Sequence, residues 1–177
     1  MSANALNGDL SKWDVSSVTD MSGVFADADS FNGDISKWDV SSVASMGYMF
    51  FEATSFNSDL SRWVVSKVSY MGYMFQGASA FNAGLSPWNV SRVTDMTGML
   101  WSAARLKAMD MSLWQVRKVT SMANMFRKSE SLREVRLPSS LLKIDAGIFA
   151  GCQSLNDVSI PASVTIIAEE AFLGCTA

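Results

Sequence analysis

The sequence predicts a repeat solenoid with coils of about 25 and then 23 residues, each a short parallel β-strand plus a short helical turn. Three observations carry this. Trp13, Trp38, Trp63 and Trp88 stand at one constant spacing, and Trp114 follows a single position late. The unit around them returns as DLSKWDVSSVTDM, DISKWDVSSVASM, DLSRWVVSKVSYM, GLSPWNVSRVTDM and a degraded MSLWQVRKVTSM. Near residue 132 the unit changes, and SLREVRLPSSLLKIDAGIFAGC recurs in a slightly shorter period as SLNDVSIPASVTIIAEEAFLGC.

Whole columns keep this phase. Met21, Met46, Met71, Met96 and Met122 form one, and Val24, Met49, Met74, Met99 and Met125 a second. Phe25, Phe50, Phe75, Leu100 and Phe126 form a third, and Phe31, Phe56, Phe81, Leu106 and Leu132 a fourth. The aromatic column continues through Phe149 and Phe172, so residues 1–131 and 132–177 read as one continuous domain, 1–177, in two dialects. No single coil buries its own apolar side, so stacking supplies the stability.

Within a unit, Met46, Met49 and Phe50 follow the i, i+3, i+4 spacing of one helical face, which predicts a helical turn too short to persist alone. Asp20 and Asp95 then sit before its first turn, near its positive end. The stretches Ile35–Val40 and Glu134–Leu137 read as strands, with Pro138 and Pro161 just past strand ends, where a missing N–H costs little. Stacked strands lie about 4.8 Å apart.

The tryptophan unit, SFNGDISKWDVSSVASMGYMF, resembles the DUF285 or bacterial surface protein 26-residue repeat, and the 23-residue unit resembles the BspA-type (Treponema-type) leucine-rich repeat. The resemblance covers nearly the whole chain. It implies a leucine-rich-repeat-like solenoid from a surface or secreted protein, of a group linked to adhesion and host-protein binding. Leu100-Trp101 and MDMSLWQV depart from the pattern, so the fourth and fifth coils are expected to be irregular.

Composition narrows function. There is no histidine, which removes the commonest neutral-pH acid/base group and metal ligand. There is also no Gly-rich phosphate loop and no Ser-His-Asp set, so the reading is not an enzyme: no catalytic residue, no cofactor, no metal site. Asp14 and Asp39 share a column continued by Val64, Asn89 and Gln115, and Asp34 and Asp59 one continued by Gly84; neither is a calcium ligand set. These aspartates are expected to be solvated or to cap corners. With 17 acidic and 14 basic residues, the net charge of −3 speaks against nucleic acid. No run is long and apolar enough to span a membrane, and MSANALNGDL is not a signal peptide. Location is thus cell surface or secreted by resemblance only.

Binding candidates remain. Lys12, Lys37 and Arg62 form a column continued by Pro87 and Leu113. Lys67, Arg92 and Lys118 follow Ser17 and Ser42 in another, and together they suggest a positive stripe for an acidic partner or a lipid surface. Trp13, Trp38, Trp63, Trp88 and Trp114 form either part of the core or an aromatic strip at a sheet edge, open to carbohydrate. Asn32, Asn57 and Asn82 suggest a hydrogen-bonded ladder satisfying corner backbone groups. Cys152 and Cys175 share a column as buried small hydrophobes or as a disulfide, and Asn89-Val90-Ser91 is a glycosylation sequon. The chain starts inside a strand unit and stops after GCTA without a recognisable cap, suggesting a piece of a longer protein or ends covered by a partner. The resulting reading is a protein-binding or adhesion module, with a structural or adaptor subunit lodged in a larger assembly as the alternative.

Overall fold

The computed structural model describes residues 8–177. The N-terminal residues 1–7, where most of the signal-peptide reading falls, lie outside the described residues.

Secondary structure corrects the expected coil. The described residues contain no helix; the regular elements are five short strands, β1 (Ala108–Asp110), β2 (Glu134–Arg136), β3 (Lys143–Ile144), β4 (Asp157–Ser159) and β5 (Ile166–Ile167). All pairings are parallel, in the orders β1-β2-β4 and β3-β5. The predicted strand over Glu134–Leu137 corresponds to β2. The one over Ile35–Val40 is instead a turn, with Trp38 N–H donating to Ile35 C=O at 3.1 Å and Ser36 N–H to Asp34 Oδ1 at 3.0 Å.

The expected helical turn is a ribbon of tandem β-turns. Val24, Ala26 and Ala28 donate three residues back, to Met21, Gly23 and Phe25. Met21, Gly23, Phe25 and Asp27 donate instead to Ser45, Gly47, Met49 and Phe51 on the next coil, at 2.8–3.0 Å. Gly23 and Asp27 have φ of 67° and 57°, and their counterparts Tyr48, Glu52, Tyr73 and Gly77 are also left-handed. A positive φ at the third position is the mark of a type II turn and breaks a right-handed helix. The i, i+3, i+4 spacing therefore reports the turn ribbon's buried side. Asp20 and Asp95 accept from Ser22 and Thr97 N–H at 2.8 and 2.7 Å, capping a turn rather than a helix.

These ribbons stack through Phe25, Phe50, Phe75, Leu100, Phe126, Phe149 and Phe172, the first six fully buried. Asp20, Ser45, Tyr70, Asp95 and Ser121 are joined by single parallel bridges. The ladder crosses between repeat types in register, since Asn124, Phe126 and Lys128 donate to Ala146, Ile148 and Ala150 at 2.8–3.0 Å. One apolar cluster runs from Leu10 to Ala171. Within it Phe25, Phe50 and Phe75 stack on Phe31, Phe56 and Phe81 of their own coils at 3.8–4.1 Å between ring centroids.

Candidate binding surface

The tryptophan column belongs to this core, not to a surface strip. Trp38, Trp63, Trp88 and Trp114 are buried, and Trp13, on the first described coil, is 58% exposed. The indole N–H groups of Trp38, Trp63 and Trp88 donate to Leu10, Ile35 and Leu60 C=O at 3.0–3.1 Å, tying each coil to the one before. Trp114 Nε1 is buried without a partner, where the period lengthens by one position. Val24 also departs from its column, being 45% exposed while Met49, Met74, Met99 and Met125 are fully buried.

The asparagine column is a ladder on an exposed corner. Asn57, Asn82 and Lys107 N–H donate to the Oδ1 atoms of Asn32, Asn57 and Asn82 at 2.7–2.9 Å. The acidic columns cap corners: Asp14, Asp34, Asp39 and Asp59 each accept the N–H two residues on, as does Asn89 of the sequon. The Ser16, Ser36 and Ser41 hydroxyls, followed by their N–H groups, hold the Asp14, Asp34 and Asp39 carboxyls below the ordinary aspartate range. Among the described residues no group of three or more His, Cys, Asp or Glu is placed to hold a metal. No helix there is long and apolar enough to cross a membrane.

Both cysteines are free thiols. Cys152 Sγ donates to Phe126 C=O at 3.0 Å and Cys175 Sγ to Phe149 C=O at 3.2 Å, as Ser129 Oγ does to Leu100 C=O at 2.8 Å. Burial pushes the Cys152 thiol up to about 12, which keeps it protonated and unreactive.

Lys12, Lys37, Arg62, Lys67, Arg92 and Lys118 are all exposed and form no ion pair among the described residues. Lys37 and Arg62 each lie near a carboxylate three residues back, Asp34 and Asp59, which offsets part of their field.

A partly exposed aromatic group lies elsewhere, on the turn ribbon. Tyr48 and Tyr73 occupy the column of Gly23 and Gly98, each with φ of 58°. A bulky side chain there costs about 1–3 kcal/mol and persists only where its surroundings over-determine it, a condition typical of ligand clamps. Here the inter-coil ladder on both sides fixes the backbone. Tyr48 stacks on Tyr73 at 5.0 Å and meets Phe51 at 5.8 Å. Tyr70 lies against Gly47 and Gly72; a Cβ at Gly72 would stand 2.6 Å from its hydroxyl oxygen. Tyr73 covers Gly98 in the same way, 2.6 Å from a Cβ there, with Trp101 at 3.6 Å. Arg127 sits 5.6 Å from the Trp101 ring centre, bonded to Asn124 Oδ1 at 3.2 Å and facing Glu170 at 3.8 Å. Tyr48 is 41% exposed, and Phe51, Tyr70, Tyr73, Trp101 and Arg127 are half-buried. Burial, then Tyr48, raises the Tyr70 hydroxyl to about 12.

Sequence reasoning missed this corner because it ranked aromatic residues by column regularity. The available signal was the mixed column Gly23, Tyr48, Tyr73, Gly98, in which Tyr alternates with the residue best suited to a left-handed backbone.

With this geometry in view, the sequence matches the profile of the family described as "Mycoplasma protein of unknown function, DUF285" over residues 1–109 and 59–158. The chain belongs to the DUF285 family. Among solved structures, this DUF285 chain is similar to a leucine-rich repeat protein from Bacteroides ovatus ATCC 8483, with 22% identity and a TM-score of 0.59 over 75% of this chain and 33% of that one. It is also similar to a leucine-rich repeat protein from Eubacterium ventriosum ATCC 27560, with 18% identity and a TM-score of 0.62 over 88% of this chain and 40% of that one. These likenesses establish a leucine-rich-repeat-like fold, and the chain spans a third to two fifths of the length of those two proteins. Comparison with curated proteins gives no match.

Proposed function

We propose that this DUF285 chain is a non-enzymatic protein-binding module of a surface or secreted protein, acting as one continuous solenoid whose last two units are BspA-type leucine-rich repeats. The observation that carries the reading is the aromatic corner of Tyr48, Phe51, Tyr70, Tyr73 and Trp101 with Arg127. Tyr, Trp and Arg dominate the energetics of protein interfaces because they bring large contact area and a polar end at low entropic cost. Here they stand on a backbone held by inter-coil bonds, so little ordering is required on binding.

The experiment is native mass spectrometry of the chain recovered from its source, alongside a Tyr73→Ala/Trp101→Ala variant. A stoichiometric protein partner retained by the wild type and lost by the folded double variant supports the reading. A wild-type chain that migrates alone, or a partner indifferent to the double variant, refutes it.

A structural subunit lodged in an assembly is the second reading. Its contact would include Ile160, Ile166, Ile167 and Leu173, which are 40–58% exposed. A partner displaced by Ile166→Lys/Leu173→Lys and not by the aromatic variant would select it.

A further inference from the structure

A polar groove runs along the asparagine ladder and shares no residue with the aromatic corner. Its larger part, about 410 Å³, is lined by Asn57, Ala80, Asn82, Arg105, Lys107 and Ser131. It shares Ala80 and Arg105 with a second hollow of about 400 Å³, reached by Thr54, Ser55 and Ser79. The floor is Ala and Ser with no large apolar side chain, so the groove offers no seat for the aromatic or aliphatic anchors that dominate peptide binding.

Hydrogen bonding in the ladder orients its donors. The Oδ1 atoms of Asn57 and Asn82 accept from Asn82 and Lys107 N–H, at 2.7 and 2.9 Å. With both oxygens engaged, each amide turns its NH2 group away from the ladder, leaving two donors per residue. Arg105 and Lys107 add cations that form no ion pair among the described residues. Exposed Arg133 follows Lys107 on the next coil, donating its N–H to Lys107 C=O at 2.8 Å. Arg105, Lys107 and Arg133 thus gather three cations at this end of the ladder, in a chain of net charge −3. Acceptors lie at the other end: Thr54 and Ser79 hydroxyls donate to Asp29 and Thr54 C=O at 3.3 and 3.2 Å, leaving oxygen lone pairs outward.

We infer that this groove binds an anionic polysaccharide, one carrying carboxylate or sulfate groups among free hydroxyls. Charged oxygens meet the Arg105 guanidinium, the Lys107 ammonium and the Asn amides, while sugar hydroxyls meet the Thr54 and Ser79 oxygens. Successive coils repeat at about 4.8 Å, close to the length of one pyranose unit, so neighbouring sugars lie over neighbouring coils, the charged ones towards Arg105 and Lys107.

The test is affinity electrophoresis of the folded chain in gels containing polygalacturonate, dextran sulfate, neutral dextran or poly-glutamate, at low and at physiological salt. Retardation by polygalacturonate or dextran sulfate is expected; whichever is stronger identifies carboxylate or sulfate as the charged group. Asn82→Asp keeps the ladder acceptor and removes the donors, and with Arg105→Ala it should weaken retention roughly tenfold or more. Arg92→Ala/Lys118→Ala, on the other basic column, should leave it unchanged. The inference is overturned if no anionic polymer is retained, if neutral dextran is retained equally, or if the Arg92/Lys118 variant weakens binding as much. Equal retention by poly-glutamate also overturns it, in favour of an acidic-peptide surface. Because the aromatic corner is untouched in these variants, the protein-partner reading stands or falls separately.

Discussion

The early 25-residue coils and the coils from Lys107 to the 23-residue units solve one problem, holding each coil to the next, with partly different atoms. In the first region the corner away from the turn ribbon is tied by side chains: asparagine Oδ1 accepts the next coil's N–H, and the tryptophan indole reaches back to a carbonyl. The main chain joins coils in both regions, since Ser55, Ala80 and Arg105 N–H donate to Asp29, Thr54 and Ser79 C=O and Arg133 and Asn156 N–H to Lys107 and Arg133 C=O, but from Lys107 onward the asparagine rung is gone and β1, β2 and β4 pair instead. The cores differ accordingly. Each of the first three coils stacks two phenylalanines, whereas Phe149 has Leu155 where those coils have a second ring. Side-chain rungs require a particular residue in every coil, but backbone rungs accept any residue except proline. This accounts for the return of Asn at 32, 57 and 82 and of Trp at 38, 63 and 88.

Paired variants sharpen the contrast. Phe50→Ala, which removes a ring stacked on Phe25, Phe56 and Phe75, should destabilise by about 3–5 kcal/mol in urea unfolding. Phe149→Ala should cost roughly 1 kcal/mol less, since it lacks the intra-coil ring pair. Equal losses would remove the distinction between the two cores.

Trp63→Phe removes the indole bond to Ile35 C=O, which keeps the Trp38 N–H, and should cost about 0.5–1.5 kcal/mol. Trp114→Phe removes an N–H that already lacks a partner, so its loss should be smaller by about 1 kcal/mol. The difference in urea midpoints at a common m-value reads this directly. On the exposed corner, Asn57→Ala should cost about 0.5–1.5 kcal/mol, because water replaces part of the lost rung. Arg133→Ala should fall within about 0.5 kcal/mol of wild type, its rung being main chain.

The smallest effect is pH dependence. Asp9, Asp14, Asp20, Asp34, Asp39, Asp59 and Asp110 all have carboxyls held below the ordinary value of 3.8, by serine hydroxyls and N–H groups two residues on. A carboxyl whose folded pKa lies below its unfolded one stabilises the fold above the unfolded value, and that contribution is lost as pH falls through the folded one. Because all seven precede Met111, hydrogen exchange below about pH 4 should rise first in the 25-residue coils. Uniform exchange along the chain would count against this.

Much of the fold was legible in the residues. The Met and Phe columns are buried from Met21 and Phe25 to Phe149, Val24 excepted, and the asparagine ladder and the corner-capping aspartates follow from residue type and spacing. The strand over Ile35–Val40 was misread because its alternation comes from turns bonded through Asp34 and Asp39. Spacing left the tryptophans open between core and surface strip, because a surface column and a core column have the same period; burial places Trp38, Trp63, Trp88 and Trp114 in the core. Arg105 and Lys107 escaped notice since they break their columns instead of continuing them, following Ala80 and Asn82.

The period, the change of dialect near residue 132 and the choice of apolar columns are properties of residue order alone, so they could be read before any folding was known. That Met46, Met49 and Phe50 lie on tandem turns and not on a helix came from the packed coils. Spacing within a segment is the same in both, but in this fold the N–H groups of Met46, Tyr48 and Phe50 find their acceptors one coil away, on Tyr70, Gly72 and Met74.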